Sequence, residues 1–254
     1  MIKTALLIPD CHIPFHDKKS YEIMLLAAQD VYRSRGIDTI YIMGDYLDFF
    51  WFSLHPKMPE MMSVRETLKD EIYQGIAHLK QLRELFPKSK IVFIEGNHEY
   101  RMIRYIVRKC PELFDLFTVP EILKLDEMGI EYVPFGKNQL VQCLNTDYYL
   151  RHQPYSSADY CAGGTAKKKH ISLGFGHTHR KQSYDCTDAH GQEISCHSLG
   201  WLGDRGSPVF TYIDCDHWTQ GFQFVTDVNG RAYKETVEIR NHQAVFMGNL
   251  YEGA

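Results

Sequence analysis

Acidic, amide and histidine side chains follow five strand-like segments of this sequence, and such groups can bind metal ions. They are Asp10 and His12 after segment 3–8, Asp45 and Asp48 after 39–43, Asn97, His98 and Glu99 after 90–94, His152 after 147–151, and His177 and His179 after 171–175. Oxygen and imidazole ligands without a thiolate suit Mn²⁺, Fe or Zn²⁺. The set is large enough for two ions, especially if one carboxylate bridges them.

The elements of the first half must position these groups. Apolar segments 3–8, 39–43 and 90–94 alternate with helical patterns, which predicts a mainly parallel α/β sheet. Ligand sites of such sheets lie at the carboxyl ends of the strands, where the loops converge. The predicted helices cover 20–33, 63–86 and 100–109. Glycines at 44, 96 and 176 allow tight turns and a close backbone approach there.

The second half of the sequence has a different texture. From Ile130 onward, short strand-like segments predominate, and a single helical pattern near 157–169 interrupts them. Helical crossovers followed by a β-rich half predict two facing sheets flanked by helices. Without repeats, low-complexity tracts or a clear linker, we predict one domain over residues 1–254.

Composition is that of an ordinary soluble protein, with 44% hydrophobic and 24% charged residues and a formal net charge of -4. This charge argues against general binding of nucleic acids, although it leaves room for a local basic patch. Seven cysteines without a Cys-x-x-Cys spacing predict reduced thiols in a cytoplasmic protein. No apolar run approaches the ~20 residues of a membrane span.

Each motif also has a plainer interpretation when it stands alone. Asp10 could cap a turn, Gly-Asp after a strand is frequent in turns, and His98 could be a hydrogen-bonded core residue. His177 and His179 could lie on a solvated surface, or, on an extended chain, project both rings to one side. Their occurrence in order, each at a strand end, favours one shared metal centre.

Together these motifs resemble the five-block signature of calcineurin-like metallophosphoesterases. The blocks are Asp10-x-His12, Gly44-Asp45-x-x-Asp48, Gly96-Asn97-His98-Glu99, His152, and Gly176-His177-x-His179. The amino-acid sequence around the second and third blocks is most similar to that of family members found in phages and prophages. The resemblance implies a four-layer α/β/β/α sandwich of two facing mixed sheets flanked by helices.

The resemblance also implies a role for each matching residue. It implies a first metal ion held by Asp10, His12, Asp45 and His179, and a second held by Asp45, Asn97, His152 and His177. His98 is the histidine that binds no metal, with Asp48 orienting its ring. The cofactors implied are two divalent ions, with Mn²⁺ first and Fe, Zn²⁺ or Ni²⁺ also acceptable.

Two departures from the family pattern bear on the substrate. Serine/threonine phosphatases of the superfamily carry an arginine after the second block, where this sequence has Phe49. Protein phosphatase activity is therefore disfavoured, and Arg101, one helical turn after His98, is the candidate to bind phosphate instead. Many relatives have glycine after the fourth-block histidine, whereas Gln153 follows His152 here.

Two further features each allow more than one role. Arg104 and Arg108 share a helix face with Arg101, and we predict for them a solvated basic face. The aromatic run 49–52 either lines a substrate pocket, where it could stack on a base, or packs against a cap helix or a second subunit. Packing is the favoured interpretation. No motif follows Arg180, although segment 199–208 could contribute to the pocket rim.

The sequence thus predicts a dinuclear metal-dependent phosphoesterase in which a hydroxide between the ions attacks the ester. Phosphodiesters, as nucleic-acid ends or cyclic nucleotides, are favoured as substrates, and a small-molecule phosphomonoesterase is the alternative. A non-catalytic scaffold of the same fold and a structural metal site are the other classes. A closed structural ion needs about four ligands, fewer than this chain offers. No membrane partner is expected, and the sequence fixes no oligomeric state.

Overall fold

The computed structural model describes residues 2–53, 59–157, 159–210 and 216–253. His55, which we did not predict as a ligand, and Cys215 lie outside the described residues. The helices are α1 (Lys18–Arg35), α2 (Leu68–Leu85), α3 (Asn97–Lys109), α4 (Val119–Leu123) and α5 (Cys161–Lys169). The strands are β1 (Lys3–Ile8), β2 (Thr39–Ile42), β3 (Lys90–Ile94), β4 (Ile130–Val133), β5 (Val141–Gln142), β6 (Tyr148–Arg151), β7 (Ser172–Phe175), β8 (Lys181–Thr187), β9 (Glu193–Leu199), β10 (Gln220–Val228), β11 (Arg231–Ile239), β12 (Gln243–Phe246) and β13 (Asn249–Glu252).

These strands form two mixed sheets and a separate hairpin. The first sheet has the order β11-β10-β1-β2-β3-β4. Strands β1 to β4 pair in parallel, and β10 pairs antiparallel with both of its neighbours, β1 and β11. The second has the order β5-β6-β7-β9-β8, in which β6, β7 and β9 are parallel. Strands β12 and β13 pair with each other.

Apolar clusters show how the layers stack. Alternate residues of β1 point to opposite faces: Leu7 joins a buried cluster shared with Leu150 and Leu199 of the second sheet, whereas Leu6 packs with helices α1 to α4. On the far side of the second sheet, Ala166 of α5 packs against β7 and β9. The order is therefore helices, sheet, sheet, helix, which confirms the predicted four-layer α/β/β/α sandwich.

The helix boundaries differ from the prediction in two places that matter. Helix α2 begins at Leu68 and not near residue 63, because segment Pro59–Ser63 is a 3₁₀ turn and the side chains of Thr67 and Asp70 form a capping box. Helix α3 begins at Asn97, with Gly96 as its N-cap. The side chains predicted in a turn thus lie in the first helical turn. None of the helices in the described ranges is long and apolar enough to cross a membrane.

Two histidine rings meet between the loop before α1 and helix α2, where His16 is buried and His78 is half-buried. The rings of His16 and His78 lie 4.8 Å apart, and the Nδ1 atom of each is buried without a hydrogen-bond partner among the described residues. Burial lowers the pKa of His16 to about 4, and it lowers the pKa of His78 as well. Both rings are therefore neutral in the folded protein at neutral pH.

This pair leads to a prediction for stability against pH. Below about pH 6.5 the unfolded chain binds protons that the folded chain excludes, so the free energy of unfolding falls by about 1.4 kcal/mol per pH unit per histidine. For His16 the fall continues to pH 4. We expect His16→Gln to lose less stability than wild type between about pH 8 and about pH 5, measured by urea unfolding in EDTA. Exposed His190→Gln is the control, and equal slopes in all three proteins would refute the assignment.

Candidate metal centre

The loops after β1, β2, β3, β6 and β7 meet at one edge of the two sheets, as the strand order requires. Three groups of potential ligand atoms lie there, and the atoms within each group are within 4.8 Å of one another. Two of the groups share Asp45, and the third is His12, Asp48 and His98. The first group is Asp10, His12, Asp45 and His179, and the second is Asp45, His152 and His177. Every predicted imidazole and carboxylate ligand thus belongs to a group.

The first group is nearly closed to solvent. The Nε2 atoms of His12 and His179 lie 2.9 Å apart, and Nε2 of His179 lies 3.6 Å from Oδ1 of Asp10. Nδ1 of His12 lies 2.9 Å from the Asp48 carboxylate. Because that contact uses one ring nitrogen as a donor, Nε2 keeps its lone pair for a cation, as in carboxylate–histidine–metal arrangements.

The Asn97 amide predicted from the sequence lies beside the second group. Nε2 of His152 lies 2.9 Å from Oδ1 of Asn97 and 3.2 Å from Oδ2 of Asp45. Nδ1 of the same ring donates to the carbonyl oxygen of Met43 at 2.9 Å, which leaves Nε2 unprotonated when it binds a cation. His152, whose following residue departs from the family pattern, is therefore oriented for ligation.

Asp45 belongs to both groups and is the residue placed to bridge two ions. One carboxylate oxygen, Oδ1, accepts from the backbone amide of His98 at 2.9 Å. The other, Oδ2, faces His152 of the second group and lies 3.8 Å from Nε2 of His98. The carboxylate is thus held by backbone while its second oxygen is directed at the cluster.

The electrostatics of the cluster fit bound cations. Oδ2 of Asp10 is buried without a hydrogen-bond partner in the described chain, and burial raises the pKa of this carboxyl to about 7. Burial alone would lower the pKa of His152, but the Asp45 and Asp10 carboxylates outweigh it and raise that pKa to about 9. Protons thus neutralise a site whose buried donor set suits divalent ions, which would displace those protons on binding.

Glycines make room for the ligands. A Cβ atom at Gly176 would lie 2.1 Å from Oδ2 of Asp10, and one at Gly96 would lie 2.3 Å from Oδ1 of Asp45. Both distances are far below van der Waals contact. Any side chain at these two positions would therefore displace a carboxylate of the centre.

The backbone at the centre is strained. Asp10, His12, Asp45, His177 and His179 all have φ between 29° and 67°, a region that residues other than glycine rarely occupy. Such strain, on the order of 1–3 kcal/mol per residue, is concentrated at functional sites. The left-handed φ angles of His177 and His179 direct the two rings into different groups, whereas an extended chain would have projected both rings to one side.

His98 lies beside the two groups that share Asp45, and Asp48, its predicted orienting residue, contacts the ring more closely through the backbone oxygen than through the carboxylate. Its Nδ1 donates to the backbone oxygen of Asp48 at 2.8 Å, whereas the Asp48 carboxylate lies 3.4 Å away. That carboxylate is closer to His12, at 2.9 Å. Asp48 therefore fixes the His98 tautomer mainly through its backbone and fixes His12 through its side chain.

Glu99 has a role that the sequence did not reveal. Its buried carboxylate accepts backbone hydrogen bonds from Gly96 at 2.9 Å, Asp45 at 3.1 Å and Leu47 at 2.8 Å. It thereby ties the loop after β2 to the first turn of α3. The Gly-Asn-His-Glu motif thus combines a structural cap with the side chains of the centre. A helical capping-box spacing was the signal that could have indicated it.

Removing this cap should be costly. Glu99→Ala leaves three buried amides without an acceptor, and at about 1–3 kcal/mol each we expect at least about 3 kcal/mol of destabilisation together with weaker metal binding. Urea unfolding and metal titration measure both effects. Glu84→Ala, at an exposed helical position of α2, is the control. A Glu99→Ala protein as stable as this control would show that Glu99 does not hold the loop.

The chain after Arg180 also contributes to the centre, although no motif there was recognisable. The Trp201 ring stacks on His179 with centroids 4.9 Å apart, and the Trp218 ring meets the same histidine edge-on at 4.2 Å. The backbone amide of Leu202 donates to the carbonyl oxygen of Asp10 at 3.0 Å. Segment 199–208 therefore forms part of the wall of the metal centre itself, whereas the sequence suggested only a contribution to the pocket rim.

A cavity of about 710 Å³ opens from the centre. Its wall includes His98 and all three arginines of the basic face of α3, Arg101, Arg104 and Arg108. The solvated face predicted for the last two is therefore also one wall of this pocket. From the aromatic run, Phe50 and Phe52 line it. Phe49 is fully buried, and Trp51 is partly exposed with its indole nitrogen donating to Glu66.

Comparison with known protein families and with curated proteins finds no match for this chain. Among solved structures it is similar to vacuolar protein sorting 29 from Cryptosporidium parvum, at 14% identity and a TM-score of 0.47, over 98% of this chain and 95% of that one. It is also similar to Chaetomium thermophilum Vps29 complexed with a RaPID-derived cyclic peptide, at 11% identity and a TM-score of 0.42, over 94% and 89% of the two chains. At these values the likenesses say nothing of what this chain binds or catalyses.

Proposed function

We propose that this chain is a metal-dependent phosphoesterase with two divalent ions, Mn²⁺ before Fe, Zn²⁺ or Ni²⁺. One observation carries the proposal: two ligand groups share Asp45, and a histidine that belongs to neither of these two groups faces the same pocket. The motif resemblance to calcineurin-like metallophosphoesterases supports the same conclusion. The first ion would be held by Asp10, His12, Asp45 and His179, and the second by Asp45, Asn97, His152 and His177.

The chemistry divides between the ions and the chain. Two bound divalent cations would supply Lewis-acid polarisation of the phosphoryl group and a nucleophile at neutral pH. The carboxylates of Asp45 and Asp10 would carry the negative charge that binds these cations. Because both groups are buried, each electrostatic contact would be stronger than in water. Asp48 would orient His12 through Nδ1. Outer partners of this kind typically change metal affinity by about 10–100-fold.

His98 is the proposed catalytic acid. With Nδ1 donating to the Asp48 backbone oxygen, only Nε2 can face a substrate oxygen. When protonated, this nitrogen can donate to the departing oxygen or to charge that develops on the phosphoryl group. The Asp45 carboxylate lies 3.8 Å from Nε2 of this ring, and the Asp48 carboxylate lies 3.4 Å from Nδ1.

Arg101 is the proposed phosphate-binding cation in place of the arginine that protein phosphatases carry. It is half-buried on α3, one turn after His98, and its side chain lines the pocket. A guanidinium can donate two parallel hydrogen bonds to one phosphate group. This would hold the ester with its departing oxygen toward His98.

Phosphodiesters are the favoured substrates, and small phosphomonoesters are the alternative. The aromatic and cationic pocket wall supports a substrate larger than a phosphate monoester. A non-catalytic scaffold has no physical need for both complete ligand groups beside a spare histidine. The test is hydrolysis of bis-nitrophenyl phosphate and of nitrophenyl phosphate by Mn²⁺-reconstituted protein. Preference for the diester supports the proposal, preference for the monoester supports the alternative, and no turnover with metal bound would support the scaffold.

A further inference from the structure

A row of cations extends the pocket away from the metal centre. Arg101, Arg104, Arg108 and Lys109 of α3 all line it. Within the described ranges no carboxylate lies at ion-pair distance from any of them. The chain carries a net charge of -4, so this face is a local basic patch on an acidic protein. Cations along a pocket wall, with no described carboxylate at ion-pair distance, favour an anionic ligand.

The length of this row exceeds one phosphate group. At a rise of about 1.5 Å per residue, Arg104 lies about 4.5 Å and Arg108 about 10.5 Å along the helix axis from Arg101. If Arg101 holds the phosphate that is hydrolysed, a cyclic nucleotide or a simple diester leaves the more distant arginines without an anion. A ligand with several phosphates in a line would use all of them.

Accessible aromatic rings lie beside the cations. The rings of Phe52 and Tyr105 have centroids 5.3 Å apart, and both line the pocket. Tyr105 is 41% exposed and follows Arg104 directly on α3. Aromatic faces interleaved with a positively charged groove are the means by which proteins bind single-stranded nucleic acids without reading their sequence. Polyphosphate chains or lipid headgroups would leave these faces unused.

We propose that the pocket binds the end of a single-stranded nucleic acid, with Arg104 and Arg108 contacting phosphates that flank the hydrolysed one and Phe52 and Tyr105 stacking on a base. This inference rests on the proposed phosphoesterase function and specifies its substrate class. A cavity of about 710 Å³ has the size of a small-ligand site, which suits one or two nucleotides of an unpaired strand. Because stacking is tolerant of base identity, sequence preference should be weak.

The test compares two substrates in one protein preparation. The Mn²⁺-loaded chain is assayed on a fluorescent oligothymidylate and on bis-nitrophenyl phosphate, and the quantity followed is the ratio of the two kcat/KM values. In the Arg104→Ala, Arg108→Ala double variant we expect this ratio to fall about tenfold or more, as the loss of charge-assisted hydrogen bonds predicts. The double variant Lys80→Ala, Lys88→Ala removes the same charge from exposed positions outside the pocket and should keep the wild-type ratio.

Salt dependence and binding separate this inference from the function on which it rests. We would measure affinity for the oligonucleotide between about 50 and about 200 mM salt and plot log affinity against log salt concentration. When two phosphate contacts are lost, the slope of this plot should become shallower by about 1.4. If wild type hydrolyses the small diester and the arginine variant keeps the ratio and the slope, the inference is wrong and the phosphoesterase stands. If neither diester is hydrolysed, the proposed preference for phosphodiesters fails. Fluorescence anisotropy with the oligonucleotide then still decides whether these arginines bind a strand.

Discussion

Replacing His98 by alanine should lower kcat for a phosphodiester by about 10²–10⁴-fold, the usual contribution of a general acid. Metal content should stay at the wild-type value, because the ring belongs to neither Asp45-containing ligand group. The backbone amide of residue 98, which holds Asp45, survives the substitution. The expected variant is thus folded and fully loaded, but slow.

The choice of substrate sharpens this test. A nitrophenolate leaving group departs without protonation, whereas an alkoxide leaving group requires a proton. If His98 acts as the acid, the loss should be larger for a methyl or nucleoside ester than for the nitrophenyl ester. His190→Ala, at an exposed position, is the control. A His98→Ala protein with near wild-type kcat on the alkyl ester would contradict the role.

Replacing Asp45 by asparagine should have the largest effect on metal binding. Asp45 belongs to both ligand groups, and the substitution removes the negative charge on which both ions would depend. We expect the tightly bound metal to fall from two ions per chain to one or none, with hydrolysis lost. Metal analysis after gel filtration measures this directly. Asp126→Asn, at an exposed position, removes the same charge elsewhere and should retain both ions.

Folding of the Asp45→Asn variant can be separated from loss of metal. The substituted amide side chain keeps an oxygen that can accept from the backbone amide of His98, so the loop after β2 should persist. In EDTA the variant should still unfold cooperatively but at a lower temperature than wild type, because the substitution removes the carboxylate that lies 3.2 Å from Nε2 of His152, and loss of one partner of a buried ion pair is destabilising. Two retained ions at wild-type affinity would show that Asp45 is no bridge.

The sequence was sufficient for the layers and for the convergence of the site. Apolar segments such as Lys3–Ile8 have the same bounds in the structure, because runs buried on both faces mark parallel strands. The carboxyl-end rule then brought residues as distant as Asp10 and His179 together. The ligand roles, the single domain, the cytoplasmic location and the similarity to phage and prophage members stay predictions.

Other features depend on contacts that no local pattern contains. Glu99 is a cap because Asp45 and Leu47, from another loop, present amides to it. Asp48 turns its carboxylate to His12, across a sequence separation that the motif does not encode. The left-handed φ angles of the last two histidines arise from the turn after β7. Tertiary packing decides such geometry, and spacing alone is silent on it.

The basic face of α3 shows the same limit from the opposite side. Amphipathic spacing places Arg104 and Arg108 away from the core, whether they face open solvent or a binding pocket. The positions of Phe52 and Phe210 show that the space beside these arginines is a pocket. Exposure of a charged side chain is therefore compatible with a binding role. A solvated face and a ligand-binding face have the same sequence pattern.

The central claim is that two ions held around Asp45 carry out phosphoester hydrolysis. The most direct measurement is a titration of metal-free protein with Mn²⁺, in which bound metal and hydrolysis of bis-nitrophenyl phosphate are followed together. We predict saturation at two ions per chain, with turnover appearing mainly as the second ion binds. Saturation at one ion, or two bound ions without turnover of this diester or of the matching monoester, would contradict the account.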